Sequence, residues 1–162
     1  MDKMNFGCGD KREPGFYNVD ILDNKGIHKT FDFDVFPYPL EENKFGYILV
    51  NQVMEHLMHP DRVLEELYKC CKNNAIIEII VPFVNSKSAY CNLQHKSFFN
   101  EKSFPLSLRN SHKLKIESQE IIVQRFLRWL PRCATNFLSV FLMNIHVEIR
   151  VKIKVIKDVI KK

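Results

Sequence analysis

KMNFGCGDK, residues 3–11, is the stretch whose reading decides the fold. Lys3 to Phe6 is a short strand-like run that opens directly into Gly7-Cys8-Gly9, where two glycines let the backbone turn sharply and approach a ligand. The next run, GFYNVDI at residues 15–21, is rich in aromatic and β-branched residues and predicts a second strand from Phe16 to Ile21, with Asp20 near its end. Glycine lets backbone come close to a nucleoside-bearing ligand, and a carboxylate can accept hydrogen bonds from both ribose hydroxyls. A nicotinamide-dinucleotide fingerprint needs G-x-G-x-x-G opening a full helix, with its acid about 20 residues on. Here Asp10-Lys11-Arg12-Glu13-Pro14 intervenes and Asp20 comes too early for that pattern.

Working outward, Thr30 to Phe33 reads as a third strand, followed by Phe36-Pro37-Tyr38-Pro39, whose prolines forbid helix and favour an extended crossing. Phe45 to Asn51 is nearly continuous in apolar residues, the pattern of a central strand buried on both faces. Pro60 and Asp61 mark a helix start. Val63, Leu64, Leu67, Tyr68 and Cys71 then recur at helical spacing until Asn73-Asn74. Ala75 to Val81 is a further strand that stops at Pro82. Residues 113–123 and 146–156 alternate with period two and predict two late strands, separated by an aromatic-rich helical stretch near residues 124–142.

The 162 residues fit one α/β domain large enough to bury a core without disulfides or a structural metal. The division expected within it is a ligand half at about residues 1–83 and a substrate or lid part with the last strands at about 84–162. The five cysteines show no paired spacing that would build a zinc tetrahedron and read as free, buried thiols. The first residues lack a basic region followed by an apolar one, which predicts a cytoplasmic location. The most apolar late run, residues 137–147, is broken by Ser139, Asn144 and His146 and is too short to span a bilayer. Charge is unevenly placed: residues 109–162 hold 12 Lys/Arg against 4 Asp/Glu, a patch able to attract an anionic partner. No base-reading motif or separate binding module accompanies it, which argues against nucleic acid.

Taken together, NFGCGD, PGFYNVDI and the long run from FDFDVFPYPL through NQVMEHLMHP to EIIVP make residues 3–83 resemble a class I methyltransferase of the type 11 kind. The resemblance implies a Rossmann-like α/β sandwich with a mostly parallel central sheet, an antiparallel C-terminal strand and a minimal first helix. It implies S-adenosyl-L-methionine as cofactor. On that likeness Gly7, Cys8 and Gly9 match the loop that meets the methionine part of the cofactor, and Asp20 matches the ribose acid. The adenine-side acid falls at Asp32 or Asp34, with Asp32 and the following Phe33 preferred. Asn51, Gln52 and the run from Met54 to Leu57 match the segment lining the methyl-transfer site, and His95 to Phe99 is similar to a segment near the substrate mouth. Gly46 stands where such chains usually carry Asp.

Methyl transfer from a sulfonium is an in-line displacement in which the protein chiefly positions the reactants and excludes water. A hydroxyl or amine acceptor needs a base, and His56 then His95 are the candidates, because imidazole titrates near neutrality. Each also has a structural alternative, His56 packing near the following helix and His95 lying on the surface. Glu55 has two readings of equal weight, a part in the methyl-transfer segment or an acceptor for loop backbone. No spacing of His, Cys and Asp suggests a metal, and no Ser-centred elbow suggests a hydrolase. The aromatic stretch with Arg125, Arg128 and Arg132 reads first as core packing or a lid, and second as a peripheral membrane contact. Three classes remain open in descending order: a methyltransferase acting on a small-molecule or glycan acceptor, a non-catalytic relative that binds a partner, and a nucleic-acid methyltransferase or binder.

Overall fold

A computed structural model describes residues 2–157 of the chain. Its centre is a seven-stranded sheet: β1 (Lys3–Phe6), β2 (Tyr17–Asp20), β3 (Lys29–Thr30), β4 (Phe45–Asn51), β5 (Cys71–Pro82), β6 (Leu114–Val123) and β7 (His146–Val155). The strands lie in the order β3-β2-β1-β4-β5-β7-β6. β1 pairs in parallel with both β2 and β4, and β5 continues in parallel beside β4. β7 pairs antiparallel with both β5 and β6, so it alone runs against the sheet. The chain therefore moves outward from β1 in one direction and restarts beside it with β4, creating the crevice where open α/β sheets bind ligands. This is the Rossmann-like α/β architecture that the sequence predicts. Among the described residues no helix separates β1 from β2.

Strand pairing overrides two boundaries predicted from side-chain periodicity. The helix α1 (Pro60–Cys70) ends before Asn73, because Cys71 already pairs with Phe45 and begins a 12-residue β5. β3 covers only Lys29–Thr30, while the Phe33 ring turns inward and stacks on Phe6 with centroids 4.0 Å apart. Tyr38 closes this aromatic cluster, its hydroxyl donating to the Phe33 carbonyl at 2.8 Å. Its backbone N–H donates to the buried Glu66 carboxylate of α1 at 2.9 Å, fixing the two-proline segment against the helix.

The register shows that the sheet has unequal faces. Met4, Phe6, Ile48, Val50, Ile77, Ile79, Val151 and Ile153 share the face covered by Val63, Leu64 and Leu67 of α1, and all are buried. Each such fully buried side chain contributes roughly 1.5–3 kcal/mol relative to exposure. The opposite face carries Lys3, Tyr47, Glu78, Arg150 and Lys152. There Glu78 accepts from the Tyr47 hydroxyl at 2.8 Å and lies near Arg150 and Lys152, at 3.6 and 3.7 Å. β4 is thus fully buried on one face and half-buried on the other, not buried on both as its composition suggests. On this face a Cβ on Gly46 would meet the Asp2 carboxylate at 2.6 Å, the tip of an exposed side chain that can swing aside.

The short helices α2 (Lys87–Tyr90) and α3 (Ser103–Ser107) follow β5, and α4 (Arg132–Phe141) precedes β7. α4 does not form core. Phe126, Trp129, Phe137, Val140 and Phe141 are between 65% and 79% exposed, and among the side chains of α4 Thr135 is the buried one. No helix among the described residues is long and apolar enough to cross a membrane. The five cysteines are free, but Cys91 and Cys133 are exposed, contrary to the uniform burial expected of them. Burial pushes the Cys70 thiol up to about 11 and Cys71 up to about 12, suppressing the reactive thiolate. Alkylation at pH 8 under native conditions is therefore expected to modify Cys91 and Cys133 rapidly and Cys70 and Cys71 only after unfolding. Peptide mass mapping checks this assignment.

Candidate functional site

The glycine loop is held by three backbone and side-chain contacts. Gly7 and Cys8 both donate to the Val19 carbonyl, at 2.9 and 3.1 Å, so the loop folds back over the end of β2. Asp20 then accepts from the Gly9 N–H at 2.7 Å and from the Leu22 N–H at 3.1 Å. A carboxylate oxygen has two lone pairs, so each retains capacity for another donor. Gly7 has φ +70°, and a Cβ there would collide with Val53. On the far side of the crevice Gln52 adopts φ +57° as β4 ends, its N–H donating to the Ile80 carbonyl at 2.8 Å.

Two adjoining clefts open at these strand ends. One, of about 560 Å³, is lined by Gly7, Gly9, Asp20, Asp32, Phe33, Gln52 and His56, with Gln94 and Lys96 across the mouth. The other, of about 330 Å³, lies between the Gly7-Cys8-Gly9 loop and Asn51, with Gly7, Gly9 and Gln52 shared between the two. All eight residues singled out for the cofactor line one cleft or the other. Two details distinguish them. The Phe33 ring stacks on Phe6 in the aromatic core and is 5% exposed, although the residue also lines the larger cleft. Asp34 is engaged by the Met58 N–H at 2.9 Å and by Lys96 at 3.2 Å, whereas Asp32 is exposed and accepts only from the Asp34 N–H. The acid free to meet a ligand is Asp32.

The Met54–His56 turn brings a further group to the rim. His56 borders the larger cleft and packs edge-on against His95, ring centroids 4.7 Å apart. Burial, with the neighbouring His95, lowers the His56 pKa and favours the neutral ring at pH 7. His95 Nδ1 lies 2.9 Å from the Ala89 carbonyl, so this histidine is anchored rather than free on the surface. Glu55 is 1% exposed, and burial pushes its carboxyl up to about 7. Its backbone carbonyl receives Lys96 and Ser97, which ties the His95 segment to the turn. Its carboxylate, expected to accept from loop backbone, has no hydrogen-bond partner on either oxygen. The sequence offers both histidines but not the grouping of His95 with Glu55 and His56, because α1, β5 and α2 lie between them in the chain. Spacing alone had also excluded a metal, and the three side chains form a compact potential ligand set.

Strand order and cleft position together define a Rossmann-like methyltransferase fold. A family model described as a methyltransferase domain matches residues 7–121, and the chain belongs to that family, with the class I methyltransferase fold. No curated protein matches the sequence. Among solved structures, it is similar to a SAM-dependent methyltransferase from Archaeoglobus fulgidus, with 16% identity and TM-score 0.66, covering 94% of this chain and 85% of that one. An S-adenosylmethionine-dependent methyltransferase from Mesorhizobium loti gives 11% identity and TM-score 0.65, covering 94% of this chain and 89% of that one. Haemonchus contortus phosphoethanolamine N-methyltransferase 2, with phosphomonomethylethanolamine and S-adenosylhomocysteine, gives 14% identity and TM-score 0.66, covering 96% of this chain and 49% of that one. These likenesses establish the fold.

The glycine at position 7 is a strict requirement of this geometry. Gly7→Ala combines a left-handed backbone, costing roughly 1–2 kcal/mol for an L-residue, with displacement of Val53 from the cleft wall. Thermal unfolding is expected to show a lowered Tm for Gly7→Ala, whereas Gly9→Ala, where a Cβ would meet open space, loses less.

Proposed function

We propose that the protein is a methyltransferase that uses S-adenosyl-L-methionine to methylate a small-molecule or glycan acceptor. The observation that carries this reading is the convergence of the glycine loop, Asp20, Asp32 and Gln52 on two joined clefts at the sheet's switch point. The residues fit the cofactor. Gly7 leaves no side chain between backbone and ligand, Asp20 retains lone pairs for ribose hydroxyls, and Asp32 with the Phe33 backbone offers a polar edge for adenine. The smaller cleft, between Cys8, Gly9 and Asn51, takes the methionine end. Bound there, the cofactor supplies an electrophilic methyl group on a sulfonium. His56 borders the larger cleft with His95 packed behind it and prepares the acceptor for attack, while Gln94 and Lys96 limit water access.

Isothermal titration of S-adenosylmethionine and S-adenosylhomocysteine tests the reading. The wild type is expected to bind both, and Asp20→Ala to bind them about tenfold or more weakly, the usual consequence of losing hydrogen bonds to a charged group. His56→Ala is expected to retain cofactor affinity and lose turnover once an acceptor is found. A folded wild type that binds neither compound would favour the non-catalytic, partner-binding reading.

The exposed aromatic face favours a lipid-linked form of the acceptor. α4 and the turn before it sit at the rim of the sheet that carries the clefts. Asn85, just beyond β5, donates to the Ser139 carbonyl at 2.9 Å and accepts from the Asn144 N–H at 2.7 Å. Phe126, Trp129, Phe137 and Phe141 are interspersed with Arg125, Arg128 and Arg132, a combination suited to an anionic lipid surface. Part of the C-terminal charge, Asp158, Lys161 and Lys162, lies outside the described residues. Co-sedimentation is expected with vesicles containing phosphatidylglycerol and to fall in Trp129→Ala/Phe137→Ala. Absence of sedimentation would remove this reading while leaving the methyltransferase proposal intact.

A further inference from the structure

Glu55, His56 and His95 form a cluster that the cofactor clefts do not account for. One ligand-type atom from each lies within 4.8 Å of the other two. Glu55 is almost completely buried, yet neither carboxylate oxygen meets a donor. A buried carboxylate with no partner is costly, and buried charges are normally paired or coordinate metals. Among the described residues, the imidazoles of His56 and His95 each place a nitrogen within 4.8 Å of it. His95 is already oriented as a metal ligand would be: its Nδ1 faces the Ala89 carbonyl at 2.9 Å, which leaves Nε2 as the free lone-pair nitrogen. The Glu55 carbonyl holds Lys96 and Ser97 through their N–H groups at 2.7 and 3.0 Å, locking the His95 segment to the turn that bears the other two side chains.

We propose that Glu55, His56 and His95 form a binding site for a divalent transition-metal cation at the rim of the larger cleft. Two imidazole nitrogens and one carboxylate oxygen suit Zn²⁺ and its borderline neighbours rather than Mg²⁺ or Ca²⁺, which prefer all-oxygen shells. Three protein ligands leave a coordination position open, and His56 directs that position to the cleft. The consequence for catalysis rests on the methyltransferase reading: a cation there would hold an acceptor hydroxyl and promote its ionisation, the proton leaving to solvent, so that the oxygen attacks the methyl carbon as its bond to sulfur breaks. The metal site itself does not depend on that reading.

The test uses the full chain, freed of metal by a chelator and dialysed. Zn²⁺ is titrated by calorimetry and Co²⁺ by its ligand-field absorption, with S-adenosylhomocysteine binding measured on the same samples. The wild type is expected to take up one equivalent of either metal. Glu55→Gln, His56→Ala and His95→Gln are each expected to weaken uptake by at least about 100-fold, beyond the loss of an outer-shell partner. His95→Gln should still bind S-adenosylhomocysteine, since His95 lines neither cofactor cleft, and Cys91→Ser/Cys133→Ser should still bind one metal. Thermal melts of Glu55→Gln and His95→Gln confirm that they are folded. The proposal is overturned if the wild type takes up no metal, or if uptake survives in Glu55→Gln and His95→Gln but disappears in the cysteine double variant. Metal uptake without S-adenosylhomocysteine binding would overturn the cofactor reading alone; the reverse would overturn the metal site alone.

Discussion

The hydrogen bonds from the Gly9 and Leu22 amides to Asp20 are the contacts on which the rest of the site depends. The Gly9 bond fastens the turn after β1 to the end of β2, the Leu22 bond orients the carboxylate, and the same turn is also held by the Val19 carbonyl. Because β1 lies between β2 and β4, this fixed turn faces the end of β4 across a single crevice. Val53 fills the space a side chain on Gly7 would need, so the wall of the cleft and the conformation of the loop specify each other. Charge-assisted hydrogen bonds from backbone to carboxylate are stronger than neutral ones, which lets a short loop hold its shape without a following helix.

The strands and the loop were legible in the sequence because their signals are local. Alternation along residues 146–155 marks β7, and the glycines flanking Cys8 mark the turn. Local signals failed where long-range pairing took precedence. Cys71 continues a helical pattern yet pairs with Phe45, and Phe33 looks like strand yet packs as an aromatic wedge against Phe6. Apolar composition also misled. β4 reads as buried on both faces, whereas Tyr47 lies on a polar face organised by Glu78. The aromatic residues around α4 suggest core and are instead held outward, since β7 and β6 close the sheet without them.

That the eight residues proposed for the cofactor would share one rim was legible for the same reason as the fold: each lies at or beyond the end of a strand, and those strand ends meet. The preference between Asp32 and Asp34 acquires a physical basis only in three dimensions, where Met58 and Lys96 occupy Asp34. The grouping of Glu55 with His56 and His95 was not legible, because it depends on the segment after β5 folding back to bond the Glu55 carbonyl. The larger cleft thus has glycine and acidic positions on one side and His56, backed by His95, on the other.

The central claim is that the glycine loop and the end of β4 form a single cofactor site. Backbone amide chemical-shift mapping with S-adenosylhomocysteine tests it most directly. The account predicts shifts concentrated at Gly7, Gly9, Asp20, Phe33 and Gln52, saturating with one equivalent. Shifts confined instead to the comparably sized cleft between α1 and α3, lined by Leu64, Tyr68, Leu106 and Lys113, would contradict it.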